Sequence, residues 1–307
     1  MIQFFKRFTV FSIILTITLF TLQIIVSNII DNKSINGQDN LDQTTGKKSE
    51  VLFFGSSRIL ASINPKILLD ARVKSENLGS SGQGIRFAIA RYRNYLAKNH
   101  KSPKIIVCSM EPLFESGDSR FEKDRFARYC WNANPNDTPI LNYFKFNWCE
   151  RNIPLYALLK YRKIWDCIFL NNRSSWLKEG MEIPSSNSLC ATSPKRFDFN
   201  TIKYNLNQIE TQIQIFKNLA ETNSAKLIFI QLPFYRYPID SPNNQFELTE
   251  HICKKFKIDL INLHRDSLNQ DCSIFCDQYH LNKKGSDIVT NLVINQLETY
   301  LQSAQRF

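Results

Sequence analysis

The sequence predicts an α/β domain on a parallel sheet, placed behind an amino-terminal membrane helix. Three observations carry this expectation. Short apolar runs alternate with longer amphipathic stretches, as in parallel strands joined by right-handed helical crossovers. A charge-free run occupies residues 8–30. The 307 residues are 43% hydrophobic and 22% charged, which suits one domain with a full-sized core and excludes disorder along the whole chain. Nine glycines and eleven prolines, without any repeat period, exclude collagen-like, Pro-rich and solenoid architectures.

The run FTVFSIILTITLFTLQIIVSNII, from Phe8 to Ile30, spans about 34 Å as a helix, enough to cross a bilayer. Lys6 and Arg7 precede it and no A-x-A cleavage signature follows, so it reads as an uncleaved signal anchor with the bulk of the chain extracytoplasmic, periplasmic or at the cell surface. Residues 31–49 have almost no large apolar side chains and form a flexible tether. All eight cysteines lie beyond the anchor, in a space that permits disulfides, and their pairing is left open. No C-x-x-C or H-E-x-x-H pattern points to a metal, and no cofactor is implied.

Within the domain, residues 50–303, strands are expected at 50–54, 73–78, 104–108, 226–232 and 258–263. Helices are expected at 65–71, 85–99, 201–222, 245–256 and 283–301. Asn64 and Pro65 form a cap followed by a first-turn proline. After the third strand about ninety residues intervene before the next clear helix, so 113–200 reads as an aromatic-rich, mostly helical insertion. Its helix is expected at 154–170, and its aromatics form either a satellite core or a lid or docking surface.

In open α/β sheets ligands bind beyond the carboxyl ends of the strands, so the residues there are the ones to inspect. After the first strand comes VLFFGSSRI, where Gly55, Ser56 and Ser57 make a small-residue turn that can present a serine hydroxyl. It is not a G-x-S-x-G elbow, because Ile59 takes the last glycine position. Near the other end, in FCDQYHLNKKGSDIV, Asp277 and His280 are spaced so that the carboxylate can take the Nδ1 proton and leave Nε2 free as a base. The loop ENLGSSGQGI offers Gly79 and Gly82 as backbone donors at a helix start, while matching neither a dinucleotide fingerprint nor a P-loop.

In order and position these segments resemble the SGNH/GDSL hydrolase superfamily. The resemblance covers roughly residues 50–110 and 225–303 and implies a three-layer α/β/α flavodoxin-like sandwich with Ser57 as nucleophile, His280 as base and Asp277 as its orienter. Gly79, Gly82 and Ser109 would then serve the oxyanion or the substrate. One block departs: Ser109-Met110-Glu111-Pro112 stands where the superfamily has G-x-N-D, so its asparagine donor is missing. The anchor and the G-S-S-R form of the first block look like the membrane-anchored branch that includes DltD and the alginate acetylation proteins. That likeness implies acyl transfer to, or removal from, a cell-envelope polysaccharide or other acylated glycan, beside a membrane-bound O-acyltransferase. The rival expectation is a scaffold that keeps the fold and holds a partner. The net charge is +11, of which +9 lies outside the membrane once Lys6 and Arg7 are set aside, and this suits an anionic glycan, whereas nucleic acid is disfavoured by the compartment and by the lack of a long basic cluster.

Overall fold

Strands covered on both faces must be apolar along their whole length rather than alternating, and the central strands of this protein are. The computed structural model describes residues 1–31, 48–80, 84–110, 138–152, 160, 177–178, 181–182, 190, 206–235, 245–264 and 266–304. The elements in chain order are α1 (Ile2–Asp31), β1 (Val51–Phe54), α2 (Ser57–Ser62), α3 (Pro65–Asp70), β2 (Ser75–Asn77), α4 (Ile85–Asn99) and β3 (Ile105–Ser109). There follow α5 (Thr138–Phe144), α6 (Trp148–Asn152), β4 (Leu177–Lys178), β5 (Met181–Glu182), α7 (Leu206–Thr222), β6 (Lys226–Gln231), α8 (Gln245–Phe256), β7 (Asp259–Asn262), α9 (Asp266–Asn269) and α10 (Lys283–Ala304). Residues 32–47 of the expected tether and, apart from Lys160, the expected 154–170 helix lie outside the described residues.

The chain divides into two compact units, Met1–Ile35 with Asp118–Ser174 and Asn36–Gly117 with Ser175–Phe307. In the first, α1 is a 30-residue helix whose Ile2–Leu22 stretch, with mean hydropathy 1.6, is long and apolar enough to cross a membrane. Its threonines return their hydroxyls to the helix: Thr9 donates to the Phe5 carbonyl at 2.8 Å and Thr16 to that of Ser12 at 2.8 Å. A hydroxyl satisfied in this way costs little in hydrocarbon.

The second unit holds a five-stranded parallel sheet in the order β2-β1-β3-β6-β7. On one face Val51, Phe53, Ile105, Val107, Ile228 and Ile230 pack with Leu68 of α3 and Val289, Val293 and Leu297 of α10. On the other, Leu52, Phe54, Ile106 and Phe229 meet Ile89 and Tyr92 of α4, Ile213 and Phe216 of α7 and Ile252 of α8. The result is the expected three-layer α/β/α sandwich in flavodoxin-like order. Phe54, Tyr92 and Phe216 form a mutual ring cluster at 6.0–6.2 Å, each pair adding about 1 kcal/mol beyond area burial. The direction in which strands are added to the sheet reverses at β1, since β2 lies to one side of it and β3 to the other. That switch point opens a crevice at the carboxyl ends of both strands. A disulfide joins Cys190 to Cys272, so the far end of the insertion is tied to the segment that leads into Asp277.

Candidate active site

At the end of β1 the chain must turn sharply into a helix. Gly55 does so at φ +151°, and a side chain there would collide with the Ser109 hydroxyl and with Ile59. Ser56 then caps α2, its Oγ accepting from the Arg58 amide at 3.1 Å. That duty removes Ser56 from contention and leaves Ser57, the first residue of α2, to face the site. No carbonyl precedes the Ser57 amide within the helix, and it has no hydrogen-bond partner among the described residues.

The neighbour of Ser57 in the site is a histidine 223 positions away. Ser57 Oγ lies 2.8 Å from His280 Nε2. On the far side of the ring, His280 Nδ1 lies 2.8 Å from Asp277 Oδ2 and 3.1 Å from Oδ1. With Nδ1–H donating to the carboxylate, Nε2 is the acceptor and the serine hydroxyl donates to it. The D-x-x-H spacing works because Asp277 Oδ1 also accepts from the amides of Tyr279 and His280, each at 2.7 Å, which curls the loop until the imidazole returns over its own partner. Burial raises the Asp277 carboxyl, and the His280 side chain and the two amides lower it by more. It therefore sits below the usual carboxylate range and is ionised at neutral pH.

Several buried polar residues lock the segments that carry these groups. Asn282 starts α10, with Oδ1 accepting from the Gly285 amide at 3.0 Å and Nδ2 donating to the Ser273 carbonyl at 2.7 Å. Ser286 and Thr290 of α10 both donate to the Ser62 carbonyl at 3.2 Å, which pins α2 to the helix following His280. Asn77 donates to the carbonyls of Ile59 and Ile63, at 2.9 and 2.8 Å, from the neighbouring strand. Arg58, adjacent to Ser57, reaches the Tyr279, Leu232 and Pro233 carbonyls. Neither Asn77 nor Arg91 is singled out by the sequence, and Arg58 enters there only as the last residue of G-S-S-R, with no role attached. Only the Asn-before-helix signature of Asn282 offered a readable signal.

The three oxyanion candidates fall differently. The Gly79 amide donates to Asn77 Oδ1 at 3.0 Å, so it holds the loop together, while the Gly79 and Leu78 carbonyls accept from buried Arg91. The Ser109 hydroxyl is buried beneath Gly55 and has no hydrogen-bond partner among the described residues. Gly82 lies outside the described residues. Among the described residues no group of three His, Cys, Asp or Glu side chains is arranged to hold a metal ion.

A second histidine lies within reach of the Arg58 charge. His264, just beyond β7, stacks on Phe246 at 3.5 Å and 11°, with the Asn269 amide 3.0 Å from its Nδ1. Burial, and then the Arg58 charge, push its pKa down to about 4. In the unfolded chain it titrates near 6.5, so between about pH 6.5 and 4 the unfolded state binds the extra proton and stability falls with falling pH. We expect His264 to cost about 2 kcal/mol by pH 5 relative to pH 7.5. The check is the urea midpoint of the full-length chain in detergent at both pH values, against the same pair for His264→Gln. An equal acid loss in the two proteins would show that His264 is not the titrating group.

No family model matches the chain, and no curated protein matches it in sequence. Among solved structures, it is similar to a Bacteroides fragilis protein named as an acylhydrolase, at 15% identity and TM-score 0.45, covering 86% of this chain and 95% of that one. A GDSL-like lipase from Bacteroides thetaiotaomicron matches at 15% identity and TM-score 0.42, over 81% of this chain and 88% of its own. The esterase EstA from a Pseudoalteromonas species matches at 11% and 0.42, over 83% and 100%.

Proposed function

We propose that this chain is a membrane-anchored, extracytoplasmic serine acyl-transfer enzyme of SGNH type, acting on O-acyl groups of a cell-envelope polysaccharide. The observation that carries the reading is the unbroken hydrogen-bond path from Ser57 Oγ through His280 to Asp277, with both inner links at 2.8 Å. Ser57 Oγ attacks the acyl carbonyl carbon and its proton passes to His280 Nε2; the tetrahedral intermediate collapses as the imidazolium protonates the leaving oxygen. The resulting Ser57 ester is then attacked by a glycan hydroxyl or by water, whose proton goes to the same nitrogen; the Ser57 Oγ–acyl bond breaks and Oγ takes that proton back, releasing the acylated acceptor or the free acid. Asp277 stabilises the imidazolium through Nδ1–H and is not itself protonated. Ser57's own amide, together with Gly82 or Ser109 after a local shift, would receive the oxyanion.

The long apolar helix with Lys6 and Arg7 at its amino end supports a position at a membrane surface, and the charge of +9 that remains without those two residues supports an anionic polymer. A membrane-bound O-acyltransferase is the partner that would supply acyl groups there. Two observations favour a second reading, a scaffold for such a transferase: the engaged Gly79 amide and the buried Ser109 hydroxyl leave few oxyanion donors in view.

The readings part on a kinetic experiment. Full-length protein in detergent is expected to cleave p-nitrophenyl acetate slowly and to turn over several-fold faster when an anionic polysaccharide is added as acceptor. Fast hydrolysis indifferent to any acceptor would leave a plain esterase. Absence of Ser57 acylation under every condition would leave the scaffold.

A further inference from the structure

The Asp277–His280 pair is a surface arrangement, with the two side chains 51% and 30% exposed. Water competes for such a hydrogen bond, and an exposed pair holds its own geometry weakly. The position of the imidazole over Ser57 must therefore come from whatever fixes the loop. Tyr279, between the two residues, is where the loop is gripped. Its carbonyl accepts from Arg58 Nε at 3.0 Å, and its ring stands edge-on to Phe234 at 5.1 Å and 83°. Phe234 in turn lies under the Arg58 guanidinium, 5.3 Å from the ring centroid. The other end of the same guanidinium is anchored by the Leu232 and Pro233 carbonyls beyond β6, at 3.1 and 2.5 Å.

Arg58 is only 6% exposed, and placing a charged group there is costly unless its directional donors are used. The donors described here reach three carbonyls, on the strand end and on the loop that bears the base. A lysine would supply the charge without the planar fork, and a methionine would fill the space without either.

We propose that Arg58 is a positioning residue for the acyl-transfer reaction, setting where the His280 imidazole stands over Ser57 by holding the Tyr279 carbonyl to the end of β6. The inference rests on the serine acyl-transfer reading of this site. An error of about 1 Å in such a placement lowers a rate by about 10²-fold. The test compares the rate of fluorophosphonate labelling of full-length protein in detergent for wild type, Arg58→Lys and Arg58→Met, each also in a His280→Ala background. We expect losses of about tenfold and about 10²-fold in the two variants, and no further loss in either once His280 is absent. A second readout needs no chemistry: the low-field proton resonance of His280 Nδ1–H against Asp277 should weaken in Arg58→Lys and vanish in Arg58→Met.

A folded Arg58→Met protein that labels at the wild-type rate, or that loses the same factor with and without His280, overturns the positioning role. Should Arg58→Met fail to fold, Arg58→Lys decides the matter by the same comparison. Labelling untouched by His280→Ala would overturn the acyl-transfer reading instead, and the proton resonance would then judge Arg58 alone.

Discussion

Full-length protein carrying Ser57→Ala loses fluorophosphonate labelling and ester turnover altogether, a fall of about 10⁴-fold or more, while Ser56→Ala keeps a measurable part of both. The two serines are adjacent and chemically identical, so only their surroundings distinguish them. Ser57 Oγ has a base 2.8 Å away, whereas Ser56 Oγ accepts from the Arg58 amide and holds the first turn of α2. Losing that cap costs about 1 kcal/mol of stability and loosens the turn without removing the attacking oxygen. Intact labelling in Ser57→Ala would reassign the nucleophile, and the result can be read on a gel within a day of purification.

Asp277→Asn is the second large effect, about 10⁴-fold in kcat with KM little changed. The amide oxygen of the new side chain can still accept from the Tyr279 and His280 amides, so the loop keeps its curl. Its NH₂ group then faces Nδ1 and forces the imidazole proton onto Nε2, where it opposes the Ser57 hydroxyl instead of receiving its proton. Asp277→Ala removes the orienting group without imposing the wrong tautomer, and it disables the enzyme less than His280→Ala, which removes the base itself. Steady-state kinetics on an activated ester, with circular dichroism to confirm the fold, check the ranking. Near-normal kcat in Asp277→Asn would mean that the carboxylate is a loop cap and nothing more.

The strands and long helices were legible because their burial is written in runs. VLFF, IIVCS and KLIFIQ are apolar on both faces, and α10 repeats Val289, Val293 and Leu297 at helical spacing. Ser57, Asp277 and His280 were legible through position after a strand and spacing before a helix. What escaped shares one physical trait: it acts on backbone carbonyls far along the chain. Asn77 serves carbonyls 14 and 18 positions back, and Arg58 serves carbonyls 174, 175 and 221 positions on. A carbonyl belongs to every residue type, so such partnerships leave no trace in side-chain pattern. Helix α2 was missed for a related reason, since six residues hold too few turns for a periodic signal. The Cys190–Cys272 pairing was one of many that eight cysteines allow.

The 223 positions between Ser57 and His280 also set a timetable. During synthesis at about 5–20 residues per second, the serine turn emerges roughly 10–45 s before the loop that will activate it. Throughout that interval the chain carries an unactivated hydroxyl, unable to capture acyl groups that it meets on the way. Helix α10 and the contacts from Ser286 and Thr290 to Ser62 arrive later still and bring the two halves of the site into register. A stalled or clipped product lacking residues 276–304 has neither Asp277 nor His280, so its Ser57 hydroxyl stays without a partner base.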